Sequence, residues 1–248
     1  MAREDLEHLE ALASVYHSEE LAGANEQYHL YLRDAVIPQT GGRTALEIGC
    51  GKGLWTVVLA QLYDTLDIVD GSEQLLAGVV AACAGRRAQI TTHVALAEEF
   101  LSAGHKSWQH IYMTFLLEHV EDPFELLRRA GRRLERDGRL FVCVPNCLSV
   151  HRLVAYRAGL IRTPDELSDN DRRVGHRRVY SEDLLRRHLE EAELRILDMR
   201  GIGLKVASLA QMADWSPDVI DAFADSGDLA PGHAAYIAAT AVPGHAAP

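Results

Sequence analysis

The sequence predicts an α/β domain, a mostly parallel seven-stranded sheet with helices on both faces. Three observations carry that prediction. Strand-length apolar runs alternate with helix-length amphipathic runs through most of the chain, as expected of a parallel sheet whose crossovers are helices. The first strand runs straight into Glu47-Ile48-Gly49-Cys50-Gly51-Lys52-Gly53, an acid followed by glycines at alternate positions. The second strand ends on Asp70, about 20 residues further on, the separation at which an acid can meet ribose hydroxyls. Glycine turns tightly and lets a ligand approach the main chain without meeting a Cβ. Ligands of open α/β sheets lie at the carboxyl ends of strands. Residues 44–56 therefore predict a nucleoside-cofactor site.

Residues 1–40 read as a helical cover. Leu6, Leu9, Leu12, Ala13 and Tyr16 recur at helical spacing, and a second helix over 28–36 is stopped by Pro38 and Gly41-Gly42. Strands are expected at 44–49, 65–70, 88–94, 108–113 and 138–145, and helices at 53–63, 72–85, 97–103 and 123–136. Ser72 is placed to cap the second of these helices; equally, Asp70-Gly71-Ser72 reads as a plain turn. Residues 194–199 and 234–241 complete the strands, with a helix at 182–192 before them. Residues 146–181 form an insertion too long for a plain connection. Within it, 149–159 reads as a helix capped by Ser149, and Thr163-Pro164-Asp165-Glu166 reads as a capping box with proline at the first helical position. A structured insertion at that edge of the sheet suits a substrate lid. The tail after Pro243 reads as disordered, and the whole chain, 1–248, as one domain.

Composition removes several functions. A net charge of −11 disfavours general nucleic-acid binding. No apolar run reaches the roughly 18 residues needed to cross a bilayer. The charged N-terminus lacks a signal-peptide core, so a cytoplasmic location is expected. Cys50, Cys83, Cys143 and Cys147 form no C-x-x-C pair and read as reduced structural thiols. Cys50 occupies a loop position that needs a small side chain. No His, Asp or Glu spacing demands a metal.

The glycine spacing matches neither the G-x-G-x-x-G fingerprint nor the Walker loop. Glu47-x-Gly49-x-Gly51-x-Gly53 resembles the first motif of class I S-adenosylmethionine-dependent methyltransferases, whose cofactor carries an amino group suited to an adjacent acid. Trp108 to Pro123, including Leu117-Glu118-His119-Val120 and Asp122-Pro123, resembles the fourth strand and following loop of ubiquinone-type and sugar-modifying members. Gln109 stands where an Asp is common. The resemblance implies a Rossmann-like fold, S-adenosyl-L-methionine as cofactor, and a cofactor site of Glu47, Gly49, Cys50, Gly51, Gly53, Asp70, Gly71, Leu96, Ala97, Thr114 and Phe115. It also implies that the N-terminal helices cover the cofactor, with Tyr16, His17 and Tyr28 as candidates to close that cover.

The insertion carries Arg152, Arg157, Arg162, Arg172, Arg173, Arg177 and Arg178. Guanidinium forks match carboxylate and phosphate, so the cluster reads either as a pocket for an anionic acceptor or as ion pairs to Asp165, Glu166, Asp169 and Asp171. Tyr28, Asn146, Arg152, Arg177, Arg178 and Tyr180 are the expected substrate contacts. The phrases around Asn146 and His176 resemble methyltransferases of secondary metabolism and surface sugars. If the acceptor is a hydroxyl, a base is needed, and His119, His151 and His176 are candidates. His119 is the first choice and Glu118 a weaker one. The expected function is O-methylation of a small anionic metabolite. Methylation of nitrogen, RNA or protein, and a non-catalytic cofactor-binding scaffold, are the alternatives. The expected partners are a small-molecule acceptor and a second copy of the chain, without nucleic acid or membrane.

Overall fold

The computed structural model describes residues 10, 24–38, 41–208 and 210–244. Leu6, Leu9, Leu12, Ala13, Tyr16 and His17, and the last four residues of the expected tail, lie outside them. One helix of the expected cover is described, α1 (Ala24–Val36).

Seven strands form one sheet in the order β3-β2-β1-β4-β5-β7-β6. They are β1 (Gly42–Ile48), β2 (Tyr63–Asp70), β3 (Gln89–Val94), β4 (Trp108–Thr114), β5 (Leu134–Pro145), β6 (Leu194–Ile202) and β7 (Tyr236–Pro243). The first five pair in parallel, and β7 lies antiparallel between β5 and β6. Crossovers are α2 (Thr56–Leu62), α3 (Glu73–Ala82), α4 (Ala97–Ser102) and α5 (Pro123–Arg132). The strand order reverses between β1 and β4. That is where an open α/β sheet leaves a crevice at its carboxyl edge.

Alternation along the strands builds two apolar layers. Ile111 and Met113 of β4 and Leu140, Val142 and Val144 of β5 pack with Leu126, Leu127 and Ala130 of α5. Tyr112 and Phe141 turn to the other face, toward Leu59, Leu75 and Val79. A fully buried Leu, Ile or Met contributes roughly 1.5–3 kcal/mol, so either layer outweighs the ~5–15 kcal/mol net stability of a domain. Glu47 falls on the same face as Tyr112, its register partner across β1 and β4.

Caps decide several boundaries. Ser72 accepts from Leu75 N at 3.1 Å, and Asp122, before Pro123, accepts from Glu125 N at 3.0 Å. The helix expected at 123–136 ends at Arg132 and β5 begins at Leu134, four residues before its expected start. The extra length pairs Leu134 with Trp108 across a register shift.

The insertion contains α6 (Val150–Arg157) and the short α7 (Asp169–Arg173), followed by α8 (Glu182–Glu191). The capping box expected at Thr163 is not formed. Glu166 accepts from Arg162 N instead, at 2.5 Å, and the box sits at Ser168 and Asp171, where side chain and backbone bond reciprocally. Ser149 occupies the cap position of α6, but its Oγ makes no hydrogen bond. The sequence reading did not anticipate α9 (Pro217–Asp225), which packs on α1 between β6 and β7.

Candidate active site

The glycine loop joins β1 to α2. Gly49, Gly51 and Gly53 have φ of +80°, +49° and +82°, a region that L side chains rarely adopt. Their surroundings differ. A Cβ on Gly53 would meet Val79 at 2.9 Å, whereas one on Gly51 meets nothing within 4 Å. Gly53 therefore serves close helix packing, and Gly51 borders open space, as a cofactor cradle requires.

Two acids border this loop. Asp70 accepts from Cys50 N at 3.0 Å and from Ser72 N at 2.9 Å. It holds the loop and the start of α3 together, so the turn reading applies while lone pairs remain on both oxygens. Burial raises its pKa. Glu47 is 1% exposed and its Oε2 has no partner. Burial, with the Asp70 charge adding to it, pushes its carboxyl up to about 8. Trp55 Nε1, at the entry to α2, is likewise buried and unpaired. Buried polar groups without partners are rare in native proteins, and these lie where a nucleoside cofactor with an amino group would complete them. Gly71 follows Asp70, and Leu96 and Ala97 begin α4 beyond β3. Thr114 ends β4.

Phe115 next to it has φ +54°, strain that a functional loop can hold. Its ring stacks on His29 of α1 at 4.5 Å and meets Tyr236 edge-on at 5.3 Å. Leu116 then reaches within 3.4 Å of where a Gly49 Cβ would stand. The loop after β4 thus adjoins the glycine loop, and α1 crosses both, with Arg33 donating to Leu54 O at 3.4 Å.

Glu118 and His119 of that loop meet His176 of the insertion, with one donor atom from each inside a 4.8 Å group. Glu118 is buried with neither oxygen bonded, and burial raises its pKa to about 7. The His119 ring meets His176 edge-on at 4.7 Å and bonds the Gly175 backbone. Burial, then the neighbouring His176, lowers its pKa to about 3. His176 Nδ1 lies 3.0 Å from Asp171 Oδ1. Against burial, that histidine, Ser168 and Arg152 hold Asp171 well below the usual carboxylate range. The three donors form a group that could hold a metal ion, and only the fold brings His176 to the other two. His151 stands apart on α6. Its Nδ1 is buried without a partner, and burial, then Lys205, takes its pKa down to about 3.

The expected substrate contacts each have a structural partner. Tyr28 is buried and donates to Leu204 O at 2.8 Å. Asn146 donates to Gly232 O and Ala234 O and accepts from Leu148 N. Tyr180 is fully buried beside His188. Arg152 serves Pro164 O, Glu166 O and Asp171, Arg177 serves His119 O, and Arg178 serves Leu117 O, Val120 O and Glu121 O. The donors of these three arginines thus meet backbone carbonyls and Asp171. Lys205, on the stretch after β6, is the charged group near the cleft that the sequence reading missed. Its charge is felt at both His29 and His151, and nothing in local sequence pattern marks it.

Comparison with known proteins agrees with this geometry. A family described as "Methyltransferase domain" matches residues 24–198. The ubiquinone biosynthesis O-methyltransferase of Caulobacter vibrioides is similar, 32% identical over 105 residues, covering 42% of this chain and 42% of that protein. The chain thus matches under half the length of such relatives. Similar solved structures include an S-adenosylmethionine-dependent methyltransferase from Mesorhizobium loti (TM-score 0.56, 15% identical, 88% and 99% of the two chains). Another is the N-methyltransferase NodS of Bradyrhizobium japonicum WM9 with S-adenosyl-L-homocysteine (TM-score 0.56, 15% identical, 96% of each chain); at that identity the likeness concerns the fold. The chain belongs to the class I S-adenosylmethionine-dependent methyltransferases.

Proposed function

We propose that this methyltransferase acts on an oxygen of a small-molecule acceptor, with His176 taking the acceptor proton. The observation that carries the reading is the His176–Asp171 pair at 3.0 Å, at the cleft beside the loop that adjoins the glycines. A carboxylate on Nδ1 fixes the imidazole tautomer and leaves Nε2 as the acceptor, the logic of a base oriented by a third group. His119, the first choice from sequence, is too acidic as an imidazolium to take a proton well near neutral pH. It fits better as a neighbour that positions His176.

S-adenosyl-L-methionine supplies a methyl group on a sulfonium, already activated toward an oxygen nucleophile. The chain's own residues bind and orient. Unpaired Glu47 Oε2 suits the cofactor ammonium, Asp70 suits the ribose hydroxyls, and Gly51 leaves room at the backbone. His176 Nε2 would take the proton of the acceptor oxygen as that oxygen displaces the sulfur at the methyl carbon, the sulfur leaving as the neutral thioether, and proximity would supply much of the rate. The curated relatives, named as O-methyltransferases, support oxygen over nitrogen.

The test is S-adenosylhomocysteine release across a panel of hydroxyl- and amine-bearing acceptors. His176→Gln should cut turnover with a hydroxyl acceptor by about 10²–10⁴-fold, the usual worth of a positioned base, with S-adenosylhomocysteine affinity unchanged. Near-parent turnover refutes the base, and turnover of amines alone refutes the oxygen acceptor.

A further inference from the structure

We propose that Lys205, flanked by His29 and His151, forms an anion-binding subsite, and that the acceptor carries a carboxylate or phosphate group that docks there. The inference rests on the methyl-transfer reading and supplies its substrate class by a residue that the arginine cluster had obscured.

The backbone at Leu204-Lys205 is held from three sides. Tyr28 of α1 donates to Leu204 O at 2.8 Å, His151 N of α6 donates to Lys205 O at 3.0 Å, and Leu204 N donates to Phe223 O of α9 at 2.9 Å. The lysine charge acts on His29, whose ring stacks on Phe115 and meets Tyr236 edge-on at 5.6 Å, and on His151. Phe115 begins the loop that adjoins the glycines, so this cationic spot lies at the carboxyl edge where an acceptor faces the cofactor.

No acid answers it. Among the described residues Lys205 makes no ion pair, although the chain has 36 Asp and Glu against 25 Lys and Arg. Asp171 carries the nearby negative charge and is already taken by Arg152 at 3.1 Å, His176 at 3.0 Å and Ser168 at 2.7 Å. Lys106 shows the ordinary arrangement, paired with Asp67 at 2.5 Å. Two further polar groups on this edge are buried without partners, His151 Nδ1 and Ser149 Oγ. A half-buried ammonium without an ion-pair partner, on an edge that holds unpaired polar groups, is what a bound anion completes. Burial draws Lys205 down to about 8. It also lies beyond the family-matched span, which ends at residue 198, on a segment suited to individual specificity.

The chain contains three lysines, Lys52, Lys106 and Lys205, so competitive acetylation read by mass spectrometry resolves each one. The experiment uses the full chain with saturating S-adenosylhomocysteine. Benzoate, methyl phosphate and inorganic phosphate are the probes, with chloride at equal ionic strength as control. Benzoate or a phosphate should slow labelling of Lys205 about fivefold at about four times its dissociation constant, leaving Lys106 unchanged. Which of the probes protects decides between carboxylate and phosphate. By calorimetry, Lys205→Met should weaken the protecting anion at least about tenfold with S-adenosylhomocysteine affinity retained, and Lys205→Arg should recover binding. Equal labelling with and without every anion, or parent-like anion affinity in Lys205→Met, overturns the subsite. If Lys205→Met does not fold, the labelling of the unaltered protein still decides. Failure of the parent to bind S-adenosylhomocysteine would overturn the methyl-transfer reading and leave the anion result to stand separately.

Discussion

Arg178→Ala separates the two readings of the insertion arginines. The Arg178 guanidinium donates to Leu117 O at 2.7 Å, Val120 O at 2.5 Å and Glu121 O at 3.0 Å, tying the loop after β4 to the end of the insertion. A hydrogen bond to a charged group is worth roughly 1.5–3 kcal/mol. Three bonds sharing one partly exposed guanidinium do not add fully, and water reaches the Glu121 carbonyl. A net loss of about 2–4 kcal/mol follows. For a domain of this size, about 2–4 °C of Tm goes with each kcal/mol, so the fall should be about 4–16 °C. Arg178→Lys should recover less than half, because an ammonium cannot fork across three carbonyls. Differential scanning fluorimetry and urea unfolding give the numbers, and acceptor kinetics run alongside. A parent-like Tm with a raised acceptor KM would refute the argument and return Arg178 to the substrate.

Three other outcomes are open to measurement. Gly51→Val puts a branched side chain at φ +49° in the space bordering the loop. It should abolish S-adenosylhomocysteine binding by calorimetry while costing only about 1–2 kcal/mol in stability, and near-normal affinity would remove the loop from the cofactor site. Asp70→Ala should weaken the same ligand at least about tenfold, the equivalent of one or two charge-assisted bonds; unchanged affinity leaves Asp70 as a cap alone. The folded Glu47 carboxyl keeps its proton up to about pH 8, whereas an unfolded one loses it near 4.5. Ligand-free stability is therefore full below about 4.5 and falls as pH rises toward 8, by a few kcal/mol. Glu47→Gln should flatten that slope in urea unfolding at pH 5, 6.5 and 8, and a slope equal to the parent's would show that Glu47 is ionised throughout.

The glycine loop, Asp70 and the loop from Leu117 to Pro123 were legible because local spacing and turn chemistry determine them. Sheet class followed from alternation, and Ser72 from its place before an apolar run. The rest depended on contacts between distant segments. Thr163 and Ser168 both head plausible caps, and Ser168 prevails because Asp171 is also drawn to Arg152 and His176. An arginine cluster in sequence does not reveal that its donors will meet carbonyls at 117, 119, 120 and 121. Helix α9 carries few strong start signals apart from Ser216-Pro217, and its stability comes from packing on α1. Lys205 stood in no motif at all.

The way α1 is fastened has a consequence for how the molecule is made. Tyr28 is bonded to Leu204, Tyr31 to Asp225 at 2.5 Å, and Arg200 to Ala35 O at 2.6 Å. The bonds of α1 to the late segments thus form only after those segments leave the ribosome, whereas its contacts with Leu54 and Phe115 can form earlier. At roughly 5–20 residues per second, the roughly 190 residues from Val36 to Asp225 take about 10–40 s to synthesise. Through that interval β5 also has a bare edge, since β7 is made later still, and an apolar strand edge is a template for unwanted pairing. Nascent chains stalled before residue 225 should therefore expose the late-docking side of α1 and the edge of β5 to holding chaperones.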